Sequence, residues 1–141
     1  MRTGLAALFL ALLAPLAAGA QQAASPEDAK AAREVIEAQL DAFRRNDAAS
    51  AYSYAAPGIK AMYDNPAEFM EMVRSFYKVV FRPSSVAFET PVMVGADLVQ
   101  PVRLVDSEGQ AWLARYPMVR GPDRHWLING CSLSRLGGRQ I

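Results

Sequence analysis

The apolar residues of this chain change their spacing near Pro83, and this change limits the possible fold more than any other feature. Before Pro83 they recur at intervals of three and four, which is the spacing of one face of an α-helix. After Pro83 apolar and polar residues alternate, and β-branched and aromatic residues accumulate, as they do in strands. We therefore expect an α+β domain in which N-terminal helices pack on one face of a curved antiparallel sheet.

Three helix start signals precede Pro83, each consisting of a side chain that can cap the first turn. The caps are Ser25, the pair Asn46-Asp47, and Asn65, and a proline follows the first and the third cap directly. Apolar stripes at helical spacing continue from the first and third caps, and the second cap opens a shorter segment. The sequence predicts helices over residues 26–45, 47–54 and 65–79.

Four strands are predicted after Pro83, over residues 86–90, 98–105, 111–119 and 125–136. Loop 107–109 ends in Gly109, which suits a left-handed residue in a three-residue hairpin, so Asp106 is expected opposite Gln110. By the same reasoning Arg120 is expected opposite Arg124. These two registers decide which side chains share a face of the sheet.

The more aromatic face of the predicted sheet is expected to receive the helices. On this face small residues stand beside tryptophan and tyrosine, which either leaves a ligand-binding cavity or lets helix side chains fill the space. Gln100 and the Tyr116 hydroxyl are expected to be the polar groups of such a cavity. Its predicted residues are Gln100, Trp112, Ala114, Tyr116, Trp126, Gly130 and Ser132.

The opposite face of the sheet carries an apolar stripe that the predicted helices do not cover. Its members are Leu113, Leu127, Cys131 and Leu133. An exposed stripe of this kind favours association, so a homodimer is predicted in which two such faces pack together. The alternative is a monomer whose polar neighbours Arg115, His125 and Asn129 keep this face hydrated.

His125 and Cys131 are the only histidine and the only cysteine of the chain. On one extended strand they would lie roughly 20 Å apart, too far for the histidine to activate the thiol. Cys131 is therefore interpreted as a packing residue, and no catalytic residue is assigned. One histidine and one cysteine also fall short of the ligands that a zinc site needs, so no metal and no cofactor is predicted.

The first twenty residues have the pattern of a secretory signal peptide. Arg2 precedes a short apolar run, and the small residues 18–20 form a cleavage site. Cleavage is expected after Ala20, which places the mature chain in the periplasm or outside the cell without a membrane anchor. An N-terminal tail is expected over residues 21–25, a single domain over 26–136 and a C-terminal tail over 137–141.

Removal of the signal peptide leaves a chain without net charge. Of 15 basic residues Arg2 is lost, so 14 remain (15 minus 1), and they balance 14 acidic residues. A neutral chain offers no electrostatic attraction to nucleic acid or to an anionic membrane. Neither is expected as a partner.

Three segments carry a resemblance to a known family: VIEAQLDAF at 35–43, FYKVVFRP at 76–83 and WLINGC at 126–131. Together with the order of elements, they make the chain similar to the bacterial domain of unknown function 4864. That family looks like a branch of the nuclear transport factor 2-like superfamily, which implies a cone-shaped α+β fold. Relatives of this shape often pair through the sheet, which the resemblance extends to this chain. Some are isomerases or dehydratases, so the resemblance also implies the leading enzymatic alternative.

The favoured function is a non-enzymatic binding module for a small apolar or aromatic ligand. A structural or protein-interaction domain with a filled core is the first alternative. The second is an isomerase-like or dehydratase-like enzyme, which would need an acid or a base inside the cavity. No carboxylate falls within the last three predicted strands, so a helix would have to supply it.

Overall fold

The computed structural model describes residues 22–137, and the predicted signal peptide lies outside these described residues. Within these described residues five helices precede six strands, which confirms the predicted α+β class. The helices are α1 Pro26–Arg44, α2 Ala48–Ser53, α3 Pro57–Lys60, α4 Pro66–Phe76 and α5 Lys78–Phe81. The strands are β1 Ser85–Phe88, β2 Val92–Val94, β3 Asp97–Val105, β4 Ala111–Arg120, β5 Trp126–Ile128 and β6 Ser132–Arg135.

The three predicted helix caps are confirmed, because each accepts a hydrogen bond from a backbone N–H of the first turn. Ser25, Asp47 and Asn65 accept these bonds at 3.1, 3.1 and 3.0 Å. The prediction for the third helix was too long, since Tyr77 leaves helical geometry with φ −128° and separates α4 from α5. Helix α3 was not predicted. Pro57 occupies the first turn of this short helix.

The strands form one antiparallel sheet in which β3 and β4 are central. The Asp106 register is confirmed, since its N–H donates to the Gln110 carbonyl at 2.9 Å. The Arg120 register was wrong, because Arg120 lies opposite Trp126. The three-residue loop begins one residue later than predicted, and Arg124 takes its left-handed position with φ 69°. A shift of two residues leaves the faces of Trp126 and its neighbours unchanged.

The predicted strand over residues 125–136 is interrupted by a bulge, and this changes the faces beyond it. Ile128 lies opposite Met118, whereas Leu133 lies opposite Ala114, so the edge chain contains one extra residue. Gly130 lies at this bulge with φ 121°, a conformation that glycine adopts without strain. As a result Leu133 faces the helices and Ser132 faces outward, the reverse of the prediction.

The other edge of the sheet breaks at the same level. Phe88 lies opposite Val102 and Val92 opposite Val99, which again leaves one extra residue on the edge. At this break Pro101 has no N–H to offer the Glu89 carbonyl. The Gln100 side chain supplies the missing donor, since its Nε2 donates to Glu89 O at 2.7 Å. Breaks on both edges let the central strands curl into the half-barrel that surrounds the helices.

The hydrophobic core lies between the concave face of the sheet and the helices. Ile36 and Phe43 of α1 are fully buried there against Leu98, Leu104 and Met118 of the sheet. Burying each such side chain stabilises the fold by about 1.5–3 kcal/mol. Between residues 22 and 137 no helix combines the length and the apolar character that crossing a bilayer requires.

Candidate functional site

The core contains a cavity of about 150 Å³ between the helices and the concave face of the sheet. Met62 lines the cavity and is 69% exposed, which places it at the mouth. The sheet side is formed by Tyr116, Ile128, Gly130 and Cys131. The helical side is mainly aromatic and aliphatic, and includes Phe43, Ile59, Tyr63, Phe69, Met72, Val73, Tyr77 and Val80.

The Tyr116 hydroxyl is the most unusual polar group of this cavity. The residue is 1% exposed, and its hydroxyl oxygen has no hydrogen-bond partner among the described residues. Burial raises the pKa of Tyr116 well above its ordinary value, so the hydroxyl stays protonated. The Cys131 thiol lies close enough to the hydroxyl to raise the pKa of Tyr116 further. The distance and angles between the two groups are not those of a hydrogen bond.

Cys131 reaches the cavity because of the bulge at Gly130, and this corrects its predicted place on the outer face. The extra residue turns Cys131 to the same side as Tyr116 and Leu133. Burial raises the pKa of its thiol to about 12. A thiol with such a pKa is protonated at neutral pH and is a poor nucleophile, in keeping with its interpretation as a packing residue.

The remaining polar groups of the cavity are few. Gln39 is buried, and its Nε2 donates to the Ala51 carbonyl at 3.1 Å, which ties α1 to α2. Burial also raises the pKa of Tyr77. Among the described residues, no aspartate, glutamate, histidine, lysine or arginine lines the cavity. Every lining group that can titrate is therefore a tyrosine or the cysteine.

Of the seven residues predicted for the cavity, Tyr116 and Gly130 line it and the other five lie elsewhere. Ala114 is fully buried but lies outside the cavity lining. The Gln100 amide is occupied at the broken edge, as described above. Ser132 is exposed on the outer side, because the bulge moved it there.

Trp112 and Trp126, both predicted as walls of the cavity, line surface grooves instead. Trp112 Nε1 donates to Asp106 Oδ2 at 3.0 Å, and the ring lies beside Leu133. Trp126 Nε1 donates to Asp28 Oδ1 at 3.1 Å and thereby attaches α1 to the sheet. This hydrogen bond is the largest cause that holds the pKa of Asp28 below its ordinary value. Both indole N–H groups therefore donate hydrogen bonds within the fold and are not free to bind a ligand.

The outer face of the sheet retains two of the four residues predicted for a dimer. Leu113 and Leu127 lie there and are partly buried, whereas Cys131 and Leu133 face the helices. His125 also lies away from Cys131, with its side chain 82% exposed at the hairpin. Among residues 22–137, no three His, Cys, Asp or Glu side chains converge as metal ligands would.

The mouth of the cavity was missed by sequence reasoning. Ile59, Met62 and Tyr63 belong to α3 and to the turn after it, a segment for which no element was predicted.

The sequence did contain a signal for the position of Cys131. Asn129-Gly130 is a turn dipeptide inside an apparent strand, and an isolated glycine there indicates a bulge.

The fold and the cavity define a small α+β domain in which a cone-like sheet surrounds helices and a mainly apolar cavity. A family model described as domain of unknown function (DUF4864) matches residues 25–141, and the chain belongs to this family. Among curated proteins, none matches this chain.

Proposed function

We propose that this chain is a non-enzymatic binding domain whose cavity holds a small apolar or aromatic molecule. The observation that carries the proposal is the cavity of about 150 Å³ with the unpartnered Tyr116 hydroxyl buried in its wall. An engineered apolar cavity of about this volume stays dry and binds benzene. A core filled by its own side chains would leave no such space, which disfavours the structural alternative.

The composition of the lining favours binding over catalysis. An isomerase or a dehydratase needs a group that exchanges protons near neutral pH. Over the described residues, the groups of the lining that can titrate are tyrosines and Cys131, and burial raises the pKa values of Tyr77, Tyr116 and Cys131.

The shape of the domain supports placing the family in the nuclear transport factor 2-like superfamily, as its helices lie on the concave side of a curled sheet.

Filling the cavity tests the proposed function. We expect Cys131→Leu to weaken the binding of toluene by at least about ten-fold, because the larger side chain occupies the space of the ligand. The domain should be no less stable, since the leucine enters empty volume. Cys131→Ala is the matched control and should retain binding. Calorimetric titration and urea unfolding of the three proteins measure both quantities.

Two results would contradict this function. One is toluene binding that is equally tight in the leucine variant. The other is a loss of about 1–3 kcal/mol of stability in that variant without toluene binding to the wild type, as expected for an overpacked, filled core.

We also propose that the chain is exported to the periplasm or beyond and that residues 1–20 are removed. The proposal rests on Arg2, the apolar run and the small residues before Gln21. Intact mass of periplasmic material should match a chain that begins at Gln21. Replacing Ala18 and Ala20 with phenylalanine should prevent this cleavage. A full-length mass from the periplasm, or a cut far from Ala20, would refute it.

A homodimer through the outer sheet face is the second proposal about partners. Leu113 and Leu127 are partly buried on this face, and the apolar pairs Val99–Pro117 and Val119–Leu127 extend the patch across the strands. A two-fold dimer would bring this patch against its own copy. The proposal rests on this patch alone, because Cys131 and Leu133 face the helices and cannot contribute to the interface.

Sedimentation tests the dimer. The wild type should sediment as a dimer at micromolar concentration, and Leu127→Glu as a monomer, because each subunit would bury an unpaired carboxylate in the interface. Ser107→Glu in the exposed hairpin loop is the charge-matched control and should remain dimeric. A monomeric wild type at high micromolar concentration would end the proposal.

A further inference from the structure

We propose that the ligand is a neutral molecule of about one aromatic ring that carries one hydroxyl or carbonyl oxygen, and that Tyr116 recognises this oxygen. The inference rests on the proposed binding function and adds the chemical class of the ligand. Size, charge and hydrogen bonding of the cavity each contribute one part of it.

The size and the lining of the cavity favour an aromatic ring. A volume of about 150 Å³ accommodates one ring with a small substituent. Phe69 contacts Phe43 and Tyr63 with ring centroids 6.1 and 5.7 Å apart, so part of the wall is already an aromatic cluster. Edge and face contacts with these rings, and sulfur contacts with Met62 and Met72, favour an aromatic guest over an alkyl chain.

The charges of the cavity favour a neutral guest. Between residues 22 and 137 no ionised side chain lines the cavity that could pair with a carboxylate or an amine. Burying an ion without a partner costs far more free energy than the apolar contacts of one ring supply. Tyr116 and Cys131 also remain neutral, because burial disfavours their anions. A charged analogue of the ligand should therefore be rejected.

The Tyr116 hydroxyl is the buried polar atom of the wall that lacks a hydrogen-bond partner among the described residues. Tyr116 lies in the middle of β4, where its backbone pairs with Gln100 of β3. Its hydroxyl has no partner, and a ligand oxygen in the cavity would accept its hydrogen bond. One N–H of the Gln39 amide already donates to the Ala51 carbonyl. A hydroxyl or carbonyl oxygen on the ring would satisfy the Tyr116 hydroxyl.

Phenol and toluene test the inference, because they have nearly the same shape and differ in a hydroxyl and a methyl group. Calorimetric titration measures the affinities of both for the wild type and for Tyr116→Phe. We expect the ratio of phenol to toluene affinity to fall by about ten-fold in Tyr116→Phe, which is about 1.4 kcal/mol of coupling. Tyr52→Phe removes a tyrosine hydroxyl outside the lining and should leave the ratio unchanged. Benzoate should not bind.

The possible failures are distinguishable. If toluene binds the wild type and the ratio is the same in Tyr116→Phe, recognition by Tyr116 is refuted and the binding cavity stands. If benzoate binds as tightly as phenol, the neutral class is refuted. If neither phenol nor toluene binds the wild type, the inference and the proposed function fail together.

Discussion

Gly130→Ala is expected to lower the free energy of unfolding by about 1–3 kcal/mol. Gly130 has φ 121°, a conformation that alanine adopts only with strain. A Cβ at this position would meet no atom closer than 3.9 Å, so crowding would not explain the loss. Urea unfolding of the wild type and the variant measures the difference.

Gly58→Ala is the matched control for this substitution. Gly58 lies in α3 with a negative φ, and a Cβ there would have its nearest contact at 3.9 Å, with Asn129 Oδ1. Its replacement should leave stability unchanged or raise it by up to about 1 kcal/mol. Equal stability of the Gly130 variant and the wild type would contradict a bulge that requires a positive φ at this position. The bulge is what directs Cys131 into the cavity, so the site depends on this result.

Tyr116→Phe is expected to raise the free energy of unfolding of the ligand-free domain by about 1–3 kcal/mol. The Tyr116 hydroxyl is buried without a partner, and removing it removes the cost of taking that group out of water. A buried tyrosine that stabilised the fold through its hydroxyl would show the opposite sign. The wild type would thus hold a polar group at the expense of stability, as binding sites often do.

Tyr52→Phe provides the contrast. The Tyr52 hydroxyl donates to the Lys60 carbonyl at 3.0 Å, and its loss should lower stability by about 1 kcal/mol. Urea unfolding of both variants under the same conditions compares two hydroxyl deletions of opposite sign. A loss of stability in Tyr116→Phe would mean that its hydroxyl has a partner in the folded domain, and the recognition role of Tyr116 would lose its basis.

Local signals in the sequence were sufficient for the starts of three helices and for one hairpin. Ser25, Asp47 and Asn65 carry their cap chemistry in their own side chains, and Gly109 specifies its loop. The Arg124 loop was displaced because an arginine takes the left-handed position there, which its residue type does not suggest.

The residues that line the cavity could not be predicted from the alternation of apolar and polar residues alone, because this alternation does not reveal bulges. One extra residue at Gly130 reverses the faces of Cys131, Ser132 and Leu133. The use of Gln100 as a donor depends on Pro101, which the sequence shows, and on where β1 ends, which only the tertiary structure shows. Tyr116 was predicted because it lies on a central strand whose register with β3 is continuous. Its neighbours across the cavity come from helices, whose approach to the sheet the sequence does not specify.

Chemical-shift mapping with toluene tests the binding cavity most directly. Proton–nitrogen correlation spectra of the labelled domain should show saturable shifts at the backbone amides of Tyr116, Gly130 and Cys131. Leu113 and Leu127 on the outer face of the sheet should not move. No saturable shift up to the solubility of toluene, or shifts at the outer face alone, would contradict a ligand-binding cavity in this domain.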